Sequence, residues 1–215
     1  MRFQFSKWCI LPVAVLLLGS VAMGQDASSN GATSQGTTNS ATAPKPTIAE
    51  RKENQQDRIA NGVKSGQLTA GETANLESKE AAINGETKAD RAANGGKLTA
   101  AEKQRINKQQ NQLSKQIYSD KHNANTAHYG NNKVGQRREN QQDRIAQGVK
   151  NGQLTAGETA KLENQQKGIN QQVKADRAAN GGKLTTGEKK QINKEQNAAS
   201  KNIYNKKHNA NTQKK

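Results

Sequence analysis

Residues 51–126 recur as residues 137–212 at a constant offset of 86; aligned without gaps, 54 of the 76 positions are identical. RKENQQDRIANGVKSGQLTAGETANLE becomes RRENQQDRIAQGVKNGQLTAGETAKLE, ADRAANGGKLT is unchanged, and IYSDKHNANT becomes IYNKKHNANT. A duplication of this size requires one small unit to be built twice, and it rules out folds that need the whole chain to form a single non-repeating pattern. Residues 127–136, with Gly130, Asn131 and Asn132, read as the connector between copies.

Each copy contains a weaker repeat, in which Leu68, Glu72, Leu76 and Ile83 return 30 residues later as Leu98, Glu102, Ile106 and Leu113. The helix signals are local and strong. Thr69/Glu72 and Thr99/Glu102 have the spacing of capping boxes, in which each partner satisfies the other's free backbone N–H; Thr47/Glu50, Thr155/Glu158 and Thr185/Glu188 repeat it. Gly66, Gly95 and Gly96 stand where a left-handed residue would end the preceding helix. Apolar spacing agrees: Ile59 and Val63 are four apart, Leu76 and Ile83 seven apart, and Ile106, Leu113 and Ile117 continue the pattern. The expectation is an all-α fold of two tandem three-helix units, with helices near 48–64, 70–93 and 100–121 in the first.

The core should be thin. The first copy offers ten large apolar residues: Ile59, Val63, Leu68, Leu76, Ile83, Leu98, Ile106, Leu113, Ile117 and Tyr118. The second gains Val173 and replaces Leu113 with Ala199. Glutamine- and asparagine-rich stretches, such as Asn54-Gln55-Gln56 and Lys108–Gln112, read as solvated helix faces.

Ahead of the repeats, Arg2 and Lys7 precede an apolar run from Trp8 to Leu18, followed by small residues Ala22 and Gly24. That order is a secretory signal peptide, residues 1–24, cut before Gln25. The run is short for a membrane span, which needs about 20 residues, so the mature chain is not expected to be an integral membrane protein. Cys9, the only cysteine, lies within the signal, which leaves the mature chain without disulfide or thiolate chemistry. Residues 25–46 are mostly Ser, Thr, Asn, Gly and Ala and read as a disordered linker. The remainder divides into unit 1 (47–126), the connector (127–136) and unit 2 (137–215).

Charge is the main functional clue. The net formal charge of +16 becomes +14 once Arg2 and Lys7 are removed. The first copy carries 13 basic and 9 acidic residues, a net +4; the second carries 15 and 7, a net +8. Asn75→Lys161, Ala81→Lys167, Gln104→Lys190, Asp120→Lys206, Glu80→Gln166 and Glu86→Gln172, at positions read as helix surface, make the second copy more positive, while substitutions such as Arg105→Gln191 and Gln109→Glu195 run the other way. Long-range attraction to anionic polymers of a cell envelope, or to nucleic acid, follows from such a charge.

Calcium is the alternative. With Gly66 as position 6 of an EF-hand loop, Leu68 is position 8 and Glu72 position 12; Gly96/Glu102, Gly152/Glu158 and Gly182/Glu188 repeat this. Positions 1, 3 and 5 do not follow: Asn61, Val63 and Ser65 in the first loop, Arg91, Ala93 and Gly95 in the second, Gln147, Val149 and Asn151 in the third, Arg177, Ala179 and Gly181 in the fourth. None is acidic, and a hard dication needs anionic oxygens. His122 and His208, repeat equivalents, read as exposed helix-end residues, and no second metal ligand recurs beside them. No nucleophile–base set, phosphate loop or paired carboxylate is evident, so no catalytic, metal or cofactor-binding residue is assigned, no cofactor is expected, and no small-molecule substrate is identified.

The pattern Arg58-x3-Gly62-x3-Gly66-x-Leu68-Thr69-x2-Glu72, with the closing Ile117–His122 and Ile203–His208 segments, resembles exported proteins of Gram-negative bacteria. The resemblance covers both copies. It implies a helical fold and a periplasmic or secreted location, and it carries over no functional residues. The combined expectation is a non-enzymatic exported protein with a binding or structural role, associating with anionic polymers, or else a divalent-cation-binding protein with degenerate EF-hand-like loops.

Overall fold

A computed structural model describes residues 45–213; the expected signal peptide and all but the last two residues of the expected linker lie outside the described residues. The described chain is all-helical: α1 (Ile48–Lys64), α2 (Ala70–Ala93), α3 (Ala100–Lys121), α4 (Lys133–Lys150), α5 (Ala156–Ala179) and α6 (Thr186–Lys207). Thr47, Thr69, Thr99, Thr155 and Thr185 each N-cap a helix and close a complete capping box with the glutamate three residues on. The exception is α4. It starts inside the segment read as connector and is capped by Asn132, whose side chain accepts from the Gly135 N–H. The connector is shorter than expected because Gly135 has no side chain: the Tyr129 and Gly130 carbonyls occupy the place a Cβ would take, folding the chain back onto the first turn of α4.

The turn between the first two helices of each half is set by two glycines. Gly66 and Gly152 adopt φ of 72° and 68°, a region open to glycine at little cost. Gly62 and Gly148 lie within their helices, where a Cβ would stand 2.7 Å from the side chain of Leu68 or Leu154. That close approach lets the leucine, fully buried, plug the base of the helix it follows.

Among the described helices, α3 packs on α1 and α2 alone and α6 on α4 and α5 alone, so these two flank a central group of four. Within the centre, α1 packs on α4 and α2 on α5. Each helix therefore meets its own repeat copy. Reciprocity extends to single residues: Ala81 lies opposite Gly157, and its counterpart Lys167 lies opposite Gly71. This is the self-complementary contact of a two-fold dimer, made within one chain. The apolar clusters cross the boundary as well, Ala146 joining the cluster of Ile59, Leu76 and Ile106, and Ala60 joining that of Ile145, Leu154 and Ile203.

Several residues read as surface are core. Gln55, Gln56 and Gln110 are buried, as are their copies Gln141, Gln142 and Gln196. Gln55 donates to the Gln110 carbonyl at 2.7 Å and to Ser114, and Gln110 donates to the Ile48 carbonyl at 2.9 Å; the second half repeats both arrangements. Glutamine reaches carbonyls already used by the helix ladder, so a long amide can replace an apolar residue between helices without leaving its donors unmet. Glu80 and Gln166, also read as surface, are buried, and Gln166 donates to the Gln141 side-chain oxygen of α4 at 3.1 Å. Conversely, Tyr118, counted with the core, is 62% exposed; it follows the buried Ile117 by one residue, about 100° around the helix.

Candidate functional site

The four glutamates at EF-hand position 12 are committed to backbone and side-chain donors. Glu72 Oε2 accepts from the Thr69 N–H and hydroxyl, while Oε1 accepts from Asn123 and Asn125. Burial pulls the Glu72 carboxyl upward, yet these bonds hold it below its ordinary value. Glu158 is bonded likewise to Thr155 and Asn209, and Glu102 and Glu188 accept from Asn94 and Asn180. The Lys-His-Asn-Ala-Asn-Thr segments thus act as clasps: after them the Ala127 N–H donates to the Gly66 carbonyl and the Gln213 N–H to the Gly152 carbonyl. Among the described residues no three His, Cys, Asp or Glu side chains are grouped to hold a metal ion. His122 and His208 are exposed C-caps.

Sequence reasoning missed a cluster of buried carboxyls. Glu77, Glu80 and Glu163 are 0% exposed. Gln56 donates to Glu77 at 3.0 Å, and Gln142 donates to Glu163 at 2.9 Å. Burial pushes Glu77 up to about 8, against the Gln56 hydrogen bond and helped by Glu80 and Glu163. Burial likewise takes Glu163 to about 8, against the Gln142 bond. Glu80 rises to about 7, burial outweighing the Lys52 charge and the Asn84 side chain. In the second half the Lys52–Glu80 relationship becomes Arg138 and Gln166, with Arg138 5.4 Å from the centre of the Tyr129 ring. Carboxyls buried in this way bear on stability, because burial disfavours their charged form.

A basic cavity lies elsewhere. The amino end of α4, the carboxyl end of α5, the α5–α6 turn and the outer face of α6 enclose about 890 Å3, lined by Lys133, Arg137, Arg177, Lys183 and Lys189, with Val134 and Leu184 among its apolar lining and no carboxylate. A shallower depression sharing Lys189, Asn193 and Asn197 adds Lys190 and Lys194. Arg137 is oriented by neutral partners, the Asn193 and Asn197 side-chain oxygens at 3.3 and 2.5 Å, so its charge is not cancelled locally. The first half treats the corresponding surface differently. There Arg105 pairs with Glu86 and Asp90, whereas their counterparts are Gln191, Gln172 and Asp176, and Gln172 donates to Asp176. Lys133 and Lys190 replace Thr47 and Gln104. Two cations are gained there, one cation and one carboxylate are lost, and Asp176 remains, so over these positions the second half carries the more positive surface.

No protein-family model, curated sequence or solved structure matches the chain. Among the described residues no helix is long and apolar enough to cross a membrane.

Proposed function

We propose that this is an exported, non-enzymatic protein, periplasmic or secreted, whose two tandem three-helix units form a scaffold for binding anionic polymers. The observation that carries the reading is the cavity of the second half, lined by five Lys and Arg side chains with no carboxylate among them. Polyphosphates and polysulfates suit such a surface, because release of their condensed counterions drives association. Export rests on the order of charged, apolar and small residues in 1–24. Mass spectrometry of the native protein should find Gln25 as its first residue; an intact Met1 would contradict export by this route.

The binding test uses the whole chain, because the halves share a buried interface. Lys133→Gln/Lys183→Gln/Lys189→Gln is compared with Lys97→Gln/Lys103→Gln/Lys108→Gln on the first half, each titrated with heparin at low salt and at about 0.15 M, where the screening length is about 8 Å. The first set should remove most of the binding and flatten its salt dependence. Equal, slight losses from both sets would leave the charge a solubility device.

A further inference from the structure

Charge alone does not account for two exposed tyrosines. Tyr118 and Tyr204 are the large hydrophobic side chains left in solvent among the described residues, 62% and 57% exposed. They are repeat equivalents, and each forms the same plate with the histidine four residues on. Ring centroids lie 4.1 and 4.2 Å apart at 26° and 28°. Each histidine Nδ1 is held 2.7 or 2.8 Å from the backbone carbonyl of its tyrosine. The plates are therefore preformed, and little side-chain freedom remains to be lost when something stacks on them.

On α6 the plate ends a continuous exposed stripe: Lys190, Lys194, Asn197, Lys201, Tyr204, His208, spaced alternately four and three residues apart. Such spacing keeps one helix face, and from Lys190 to His208 it covers about 27 Å at 1.5 Å per residue. Lys190, Lys194 and Asn197 also line the basic depression, so stripe and cavity are continuous. Glu195, the acid nearest in sequence, points about 100° away from Lys194 and accepts from Gln191. Helix α3 repeats the stripe from Lys108 to His122, with Gln104 in place of Lys190.

We propose that this lysine-and-ring stripe binds single-stranded nucleic acid, phosphates running along the lysines and unpaired bases stacking on the Tyr–His plates. The assignment rests on the anionic-polymer reading and narrows it. A sulfated polysaccharide would use the lysines but has no π-face for the plates, whereas every base has one, and base–aromatic stacking tolerates any sequence. The α6 stripe is the stronger site, because it alone continues into the cavity.

The test measures binding of the whole chain to a single-stranded oligodeoxynucleotide and to heparin at the same low salt. Tyr118→Ala/Tyr204→Ala removes both plates at solvent-exposed positions, so its melting temperature should match that of the unaltered chain. It should lose about tenfold or more in oligonucleotide affinity and keep its heparin affinity. Tyr118→Phe/Tyr204→Phe should retain both. Tyr204→Ala alone should cost more than Tyr118→Ala alone. Equal losses for both polymers, or no loss for the oligonucleotide, would overturn the stacking role. Heparin binding without oligonucleotide binding would overturn the nucleic-acid assignment while leaving the anionic-polymer reading; failure to bind either polymer would overturn both.

Discussion

Glu77 of α2 and Glu163 of α5 occupy the same position of the repeat, lie on helices packed against each other, and each accept one hydrogen bond from the corresponding glutamine, Gln56 or Gln142. Their burial at the junction of the copies makes the central contact sensitive to protonation, because two like charges cannot both be sheltered there cheaply.

Stability should therefore fall as the solution becomes alkaline. Carboxyls raised from 4.5 to about 8 at Glu77 and Glu163, and to about 7 at Glu80, keep protons in the folded state that the unfolded chain releases. Their contribution is intact below the unfolded value and is lost as pH rises through the folded values, by a few kcal/mol for each buried group. Thermal unfolding followed by circular dichroism should give a melting temperature that declines between pH 5 and pH 9. Glu77→Gln/Glu163→Gln should flatten that decline and raise the melting temperature at the alkaline end. The first half's Lys52 faces Glu80, so Glu80→Gln should help less, although Gln166 shows that an amide fits the equivalent place. A melting temperature independent of pH would mean that water reaches these carboxyls.

Glycine substitutions should separate close packing from helix propensity. Gly62→Ala places a methyl group 2.7 Å from Leu68, and Gly148→Ala does the same against Leu154. Each should destabilise by about 1–3 kcal/mol through overpacking. Gly85, exposed in the middle of α2 with nothing near its absent Cβ, should behave oppositely. Gly85→Ala should stabilise by about 0.5–1 kcal/mol, since alanine is the better helix former. Urea unfolding of the three variants distinguishes the cases.

The contrast between these glycines and the buried acids reflects which features of the fold were legible in the sequence. Capping boxes act over three residues, so the expected helices near 48–64, 70–93 and 100–121 coincide with those observed. Burial of polar groups depends on partners far along the chain, and hydrophobicity alone gives no sign of it. A signal was nevertheless present in helical register. Gln55 and Gln56 precede Ile59 by four and three residues, Gln110 precedes Leu113 by three, and Glu80 precedes Ile83 by three, all on apolar faces. Tyr118 lies off that face, so its size and apolar ring do not bring it into the core. The positive cavity leaves little trace in the charge difference between the copies: four of its five cations have basic counterparts, Arg51, Arg91, Lys97 and Lys103, and the added one, Lys133, falls in the segment that reads as connector.

The caps should differ in weight. Thr69→Ala and Thr99→Ala each free an amino-terminal N–H of a helix, at a cost of about 1 kcal/mol. Thr69 has an additional role, its hydroxyl donating to Glu72 at 2.7 Å while Glu72 holds Asn123 and Asn125 of the clasp. The Thr69 variant should therefore lose more than the Thr99 variant in calorimetric melting, and amide exchange at Ala127, bonded to Gly66, should quicken only in the former.

The reciprocal packing leads to an expectation for half the chain. Residues 45–131 alone would expose the faces of α1 and α2 that α4 and α5 cover in the whole protein, including Ala60 and the buried Glu77 and Glu80. Those faces are copies of the ones that cover them, so two first halves can re-create the contact with α1 against α1 and α2 against α2. The critical near-contact also works in duplicate: Ala81, which lies opposite Gly157, would face Gly71, a glycine at the equivalent position. Sedimentation equilibrium should therefore find the fragment as a dimer that loses helicity on dilution, since a thin core depends on that interface. Because the dimer would bury two copies each of Glu77 and Glu80, dissociation should become easier above about pH 7–8, the range to which these groups are raised. Gly71→Trp would block the approach of Ala81 and should abolish dimerisation; a stable helical monomer at all concentrations would show that α1–α3 needs no partner.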